Sequence, residues 1–184
     1  MKTIYRRGLG HRYGRHMQTI AGIHYNFSVP DSLWEDLKKA ARSTQSLKDF
    51  KSEGYFGLIR NFRRYSWLLL YLLGAAPAVC RSFVRNQSHS LVPVGEDTHS
   101  LYQPYATSLR MGDLGYQSEA QSSLEVSYNE LSEYTQTLHK ALSTNYPNYC
   151  DIGLKNKNGE YQQLNTNLLQ IENEFYSAIR PKRT

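Results

Sequence analysis

From Gln18 to Val29 the chain alternates, with Gln18, Ile20, Gly22, His24, Asn26 and Ser28 on one side and Thr19, Ala21, Ile23, Tyr25, Phe27 and Val29 on the other. That period of two predicts a strand through Pro30 whose second set packs into the core, leaving His24 between two amides on a wet face. Helical spacing follows. Ser32-Leu-Trp-Glu35 has the form of a capping box that opens a short helix. A second helix is predicted from Ser46, with Tyr55, Ile59, Phe62, Ser66, Leu69 and Leu73 as its buried stripe and Arg60, Arg63 and Arg64 as a separate basic one. Gly74 to Pro77 ends it.

Residues 85–103 are rich in Ser, His, Pro and Gly and predict a long irregular connection. Glycines on both sides of Asp113-Leu114 predict a tight loop that sets Arg110 and Tyr116 at a pocket wall. Ser127-Tyr-Asn-Glu130 reads as another capping box, opening a helix with Leu131, Leu138 and Leu142 on one face. Asn156-Lys-Asn158-Gly159 predicts a hairpin turn between 152–155 and a long strand over 161–175, because Asn-Gly tolerates the positive φ such turns need. On that strand Glu172, Glu174 and Tyr176 turn outward together. Long helices with antiparallel strands define an α+β class.

Composition narrows the partners only slightly. Of 184 residues, 40% are hydrophobic, enough for a core, and 22 Lys and Arg against 16 Asp and Glu give +6, which suits anionic ligands. Fifteen tyrosines offer rings with polar tips for lining a small pocket. Cys80 and Cys150 stand apart with no metal or disulfide spacing, which fits a reduced, cytoplasmic setting. The residues after Met1 carry charge but no apolar run of a secretory signal, and the apolar stretch from Trp67 to Val79 is too short to span a membrane.

Several side chains are suited to chemistry, each with a plainer alternative. His24 is either a metal or phosphate ligand or an ordinary surface imidazole. Gln18 and Asn26 either bind substrate or decorate a sheet, and Arg110 is either a carboxylate fork or an exposed loop charge. Glu172 and Glu174 either hold Mg²⁺ or form a solvated edge. Arg180-Pro-Lys-Arg183 either meets phosphates or is solvated.

A longer set of residues carries a resemblance. Tyr5-Arg-Arg-Gly-Leu9-Gly-His-Arg-Tyr-Gly14, Met17-Gln18-Thr19, Gly22 through Pro30, Tyr105-Ala-Thr-Ser-Leu-Arg110 and Leu168 through Arg183 closely resemble bacterial glutamate-cysteine ligases of the proteobacterial type. The resemblance runs in order along the chain and includes Gly54-Tyr55, Gly74 to Cys80 and Asp113 to Tyr116. It implies that residues 1–184 are the central portion of one catalytic domain, part of a glutamine-synthetase-like ligase fold incomplete at both ends. The family's Glu-rich metal motif lies upstream of Tyr5, and a further metal-binding Glu lies downstream of Thr184.

The implied reaction is ATP-dependent joining of the γ-carboxyl of L-glutamate to L-cysteine through an acyl phosphate, the first step of glutathione biosynthesis. By position, His24 resembles a Mg²⁺ ligand, and Gln18, Asn26 and Arg110 resemble amino-acid contacts. Tyr5, Leu9, Tyr116 and Tyr176 resemble the cysteine pocket, and Asn173 a nucleotide contact. No nucleic acid or membrane partner is implied, while the flanking segments of the same enzyme are. The competing reading is a basic nucleic-acid- or amino-acid-binding module without catalysis, which demands salt-sensitive binding.

Overall fold

In the computed structural model, residues 1–19, 22, 24–85, 88–109 and 119–182 are described. Six helices accompany a small sheet among these residues: α1 (Lys2–Tyr13), α2 (Asp31–Ala40), α3 (Leu47–Leu73), α4 (Glu119–Ser122), α5 (Leu131–Ser143) and α6 (Pro147–Ile152). The strands are β1 (Ala78–Cys80), β2 (Val92–Val94) and β3 (Asp97–Tyr102), in the antiparallel order β1-β3-β2. The α+β class is therefore as expected.

The long helix is specified locally. Ser46 caps α3 by accepting the Asp49 N–H at 3.1 Å, satisfying a donor that the first turn leaves free. Gly74 closes it, its N–H donating to Leu70 O at 2.9 Å. Two faces of its first half are used. Tyr55 turns toward α2, its hydroxyl accepting the Val29 N–H at 2.9 Å and its ring meeting Trp34 edge-on at 4.9 Å. Gly54 permits this approach, since a Cβ there would lie 2.5 Å from the Trp34 ring. Phe56 and Ile59, on the other face, enter the main core with Tyr134, Leu138 and Ala141 of α5 and Leu169 beyond them.

The expected buried stripe stops there. Leu69 is 43% and Leu73 75% exposed, and Trp67 beside them is 62% exposed. The Arg60 and Arg63 stripe is internal glue: Arg60 donates to the Tyr128 and Asn129 carbonyls at 2.9 and 2.7 Å, and Arg63 lies 4.7 Å over the Tyr128 ring.

Four sequence expectations are corrected. Residues 15–19 form a 3-10 turn and 24–30 pair with no strand, so Tyr25 (86% exposed) and Phe27 (61%) are not core. Alternation specifies a buried face only where a neighbouring strand takes the backbone groups and a layer covers the side chains, and the described residues supply neither. The 85–103 connection instead carries β2 and β3, a hairpin closed at Gly95 (φ 58°) with Val94 opposite Asp97. Its core is small: Val84, Leu91 and Leu101.

Both capping boxes also fall elsewhere. The extended backbone of Pro30 starts α2 at Asp31, and Glu130 occupies the cap of α5, with no side-chain cap bond at either. Finally, the Asn156–Gly159 turn forms, with the Gly159 N–H on Asn156 O at 3.0 Å and Lys155 bridging Tyr161, but 162–175 is not a strand. Leu169 and Gln170 are adjacent and both buried, which a period of two forbids; side-chain hydrogen bonds replace a ladder there.

Candidate functional site

Helix α1 lies against the segment from Gln163 to Tyr176, and the contact begins with a missing side chain. A Cβ on Gly8 would sit 2.2 Å from Gln170 Oε1, so only glycine lets the helix approach this closely. Gln170 uses the space: its Oε1 accepts the Leu164 N–H at 3.0 Å and its Nε2 donates to Tyr5 O at 3.4 Å. One turn further, Gln18 folds back onto α1, donating to Arg6 O at 3.1 Å. Tyr5 and Leu9, four residues apart, share a helix face between these two amides.

At the end of α1 a buried polar network forms. Arg12 and Glu174 have side chains 0% and 1% exposed and meet at 3.1 Å. Arg12 Nε donates to Gln163 Oε1 at 3.0 Å, its Nη2 to Asn165 O at 2.7 Å, and its guanidinium lies 4.1 Å over the Tyr149 ring. Glu174 Oε1 also accepts the Tyr13 hydroxyl at 2.9 Å, while Oε2 accepts the Gln170 N–H at 2.5 Å. Gln121 completes it: Nε2 donates to Tyr13 Oη at 2.7 Å and Glu174 O at 3.0 Å, and Oε1 accepts the Tyr176 N–H at 3.1 Å. Among the described residues every buried side-chain nitrogen and oxygen has a partner. Such a fully partnered buried network fixes geometry.

Glu174 therefore corrects the outward-facing carboxylate pair: it is buried and clamped, while Glu172 remains exposed. The reason is the 3-10 turn at Glu172–Glu174, which breaks the alternation and rotates Glu174 under α1.

Burial, then the nearby Glu174 and Tyr149, push the Tyr13 phenol well above its ordinary range; burial and then Tyr128 push Tyr134 up to about 12. Both phenols keep their protons in the fold after unfolded tyrosines have lost theirs near pH ~10. Their contribution is thus complete below that pH and declines above it. We expect urea midpoints to fall between pH 9.5 and 11 by ~1 M, and Tyr134→Phe to flatten that decline.

The remaining predicted site residues are dispersed. His24 and Asn26 are exposed in the 24–30 stretch, and Tyr176 is half-buried. Asn173 is exposed, its Oδ1 accepting from Arg180 Nη2 at 3.1 Å. Arg110, Tyr116 and the Asp113-Leu114 loop lie outside the described residues. Among the described residues no three His, Cys, Asp or Glu gather as a metal cluster. The exposed His24 imidazole can supply one donor to a metal, but not the several oxygen ligands that Mg²⁺ demands. The sequence reading missed Arg12, Tyr13, Gln121 and Gln163; glycines at 8 and 10 inside a helix were the available signal of close approach.

With this geometry in place, comparison with known proteins is direct. The glutamate-cysteine ligase family model matches residues 1–184. The chain is 61% identical to the glutamate–cysteine ligase of Saccharophagus degradans, 58% to that of Alcanivorax borkumensis and 57% to that of Pseudomonas putida, in each case over 100% of this chain and 34%, 35% and 34% of the relative. A crystal structure of the Francisella tularensis glutamate–cysteine ligase in complex with AMP superposes with a TM-score of 0.86 at 43% identity, covering 100% of this chain and 35% of that one. The chain belongs to the glutamate-cysteine ligase family. It spans about a third of the length of the curated relatives it matches. No described helix is long and apolar enough to cross a membrane.

Proposed function

We propose that residues 1–184 are the central, amino-acid-facing portion of a cytoplasmic ligase that joins the γ-carboxyl of L-glutamate to the amine of L-cysteine at the expense of ATP. A carboxylate is too electron-rich to accept an amine. Transfer of the γ-phosphoryl group of ATP to a carboxylate oxygen releases ADP and makes an acyl phosphate; the cysteine nitrogen then attacks the carbonyl carbon, and phosphate leaves as the amine loses a proton. The family match across the full chain carries this reading.

On it, Tyr5, Leu9, Tyr116 and Tyr176 receive cysteine, and Gln18, Asn26 and Arg110 receive glutamate. Asn173 contacts the nucleotide; that a nucleotide binds is supported by the AMP in the Francisella structure, and the residue is assigned by the family resemblance. His24 is one donor to Mg²⁺, with the oxygen ligands supplied by the rest of the full-length enzyme; no step above is routed through the ion.

The test is a chimera in which these 184 residues replace the matching third of the Saccharophagus ligase. We expect phosphate release from ATP that requires both L-glutamate and L-cysteine. In that background His24→Ala should lower kcat/KM at limiting Mg²⁺ by about tenfold or more, with an unchanged melting temperature because the side chain is exposed. A folded chimera that releases no such phosphate overturns the proposal. An equal loss of stability and activity makes His24 structural.

A further inference from the structure

We propose that Gln121 is a positioning residue for cysteine recognition, holding the Tyr176 backbone in register with α1; this rests on the ligase reading above. A glutamine amide presents an acceptor and a donor side by side, as a peptide group does. Gln121 spends both on one short stretch: Oε1 takes the Tyr176 N–H at 3.1 Å and Nε2 gives to Glu174 O at 3.0 Å. These two groups flank Phe175, whose backbone is extended and whose ring is buried in the main core. The side chain thus does for 174–176 what a neighbouring strand would do, at a place where no strand of the described residues pairs.

The other end of the clamp is α1. The same Nε2 reaches Tyr13 Oη at 2.7 Å, and Tyr13 passes the link to Glu174 at 2.9 Å. Gln121 is therefore bonded both to the segment that carries Tyr176 and to the helix that carries Tyr5 and Leu9. It is buried itself, too far inside to meet substrate directly. Its loss takes this acceptor from the Tyr176 N–H and this donor from the Glu174 carbonyl; Arg12 and Tyr13 still tie Glu174 to α1, so the shift falls on Tyr176, just beyond them. Of the glutamate contacts, Gln18 rides on α1 itself through Arg6 O and Asn26 lies on the exposed 24–30 stretch, so neither depends on the join between α1 and 174–176 and the glutamate side is not expected to move.

The test uses the Saccharophagus chimera carrying residues 1–184. Gln121→Ala is expected to raise KM for cysteine by about tenfold while KM for glutamate, KM for ATP and kcat stay within about twofold, the pattern of lost ground-state positioning on one substrate. Tyr13→Phe removes only the hydroxyl link and should raise the same constant by about threefold; it decides the matter if Gln121→Ala does not fold. Equal increases in all three KM values, or a lowered melting temperature with unchanged KM for cysteine, overturn the assignment and leave Gln121 a purely structural residue. An unsubstituted chimera that folds but does not ligate overturns the ligase reading and this assignment with it.

Discussion

Glu174→Ala should destabilise the chain by about 3–5 kcal/mol, read as the shift in its urea unfolding midpoint. The carboxylate is the anion for Arg12, and both side chains are inaccessible to water. Removing it strands a guanidinium whose desolvation has already been incurred, and also deprives the Tyr13 hydroxyl and the Gln170 N–H of their acceptor. The paired replacement separates charge from packing. Arg12→Met with Glu174→Leu takes away both charges together, and we expect it to recover at least half of the loss, because a buried pair stabilises little relative to apolar groups of the same size. If the double variant is as unstable as Glu174→Ala, the hydrogen bonds to neighbouring groups outweigh the charges.

Phe56→Ala is expected to cost about 3–5 kcal/mol as well, through the cavity it leaves. Phe56 is 2% exposed and meets Tyr134 edge-on at 5.8 Å, joining α3 to α5 in the main core. Leu73→Ala on the same helix is the control. That side chain is mostly exposed, so its loss should change the unfolding free energy by no more than about 0.5 kcal/mol. Equal effects at the two positions would mean that the last turns of α3 are covered.

Elements whose cause is local were legible in the sequence. Ser46 begins α3, Gly74 ends it, the Asn156–Gly159 turn closes, and α5 runs where its apolar spacing requires. Two of the failures share one cause. Residues 24–30 alternate as well as any strand, yet a pattern within a segment says nothing about whether a partner is present to make a ladder. The same blindness hid the fate of Glu174: a carboxylate two residues from another reads as an exposed edge until an arginine far away in sequence is known to face it. Tyr5, Leu9 and Gln18 were legible as a group only through the family resemblance. The structure adds that all three belong to or touch α1, which no spacing in the sequence indicates.

The bond between Arg12 and Glu174 joins residues 162 positions apart. At ribosomal rates of about 5–20 residues per second, α1 emerges some 10–30 s before the carboxylate that neutralises its arginine. For that interval the Gly8 side of the helix awaits a segment not yet made, and α3 and α5 are free to assemble first. The same separation acts when the whole chain refolds, because distant contacts close slowly: protection of the α5 amides should precede that of α1, with the N-terminal helix docking as a late step.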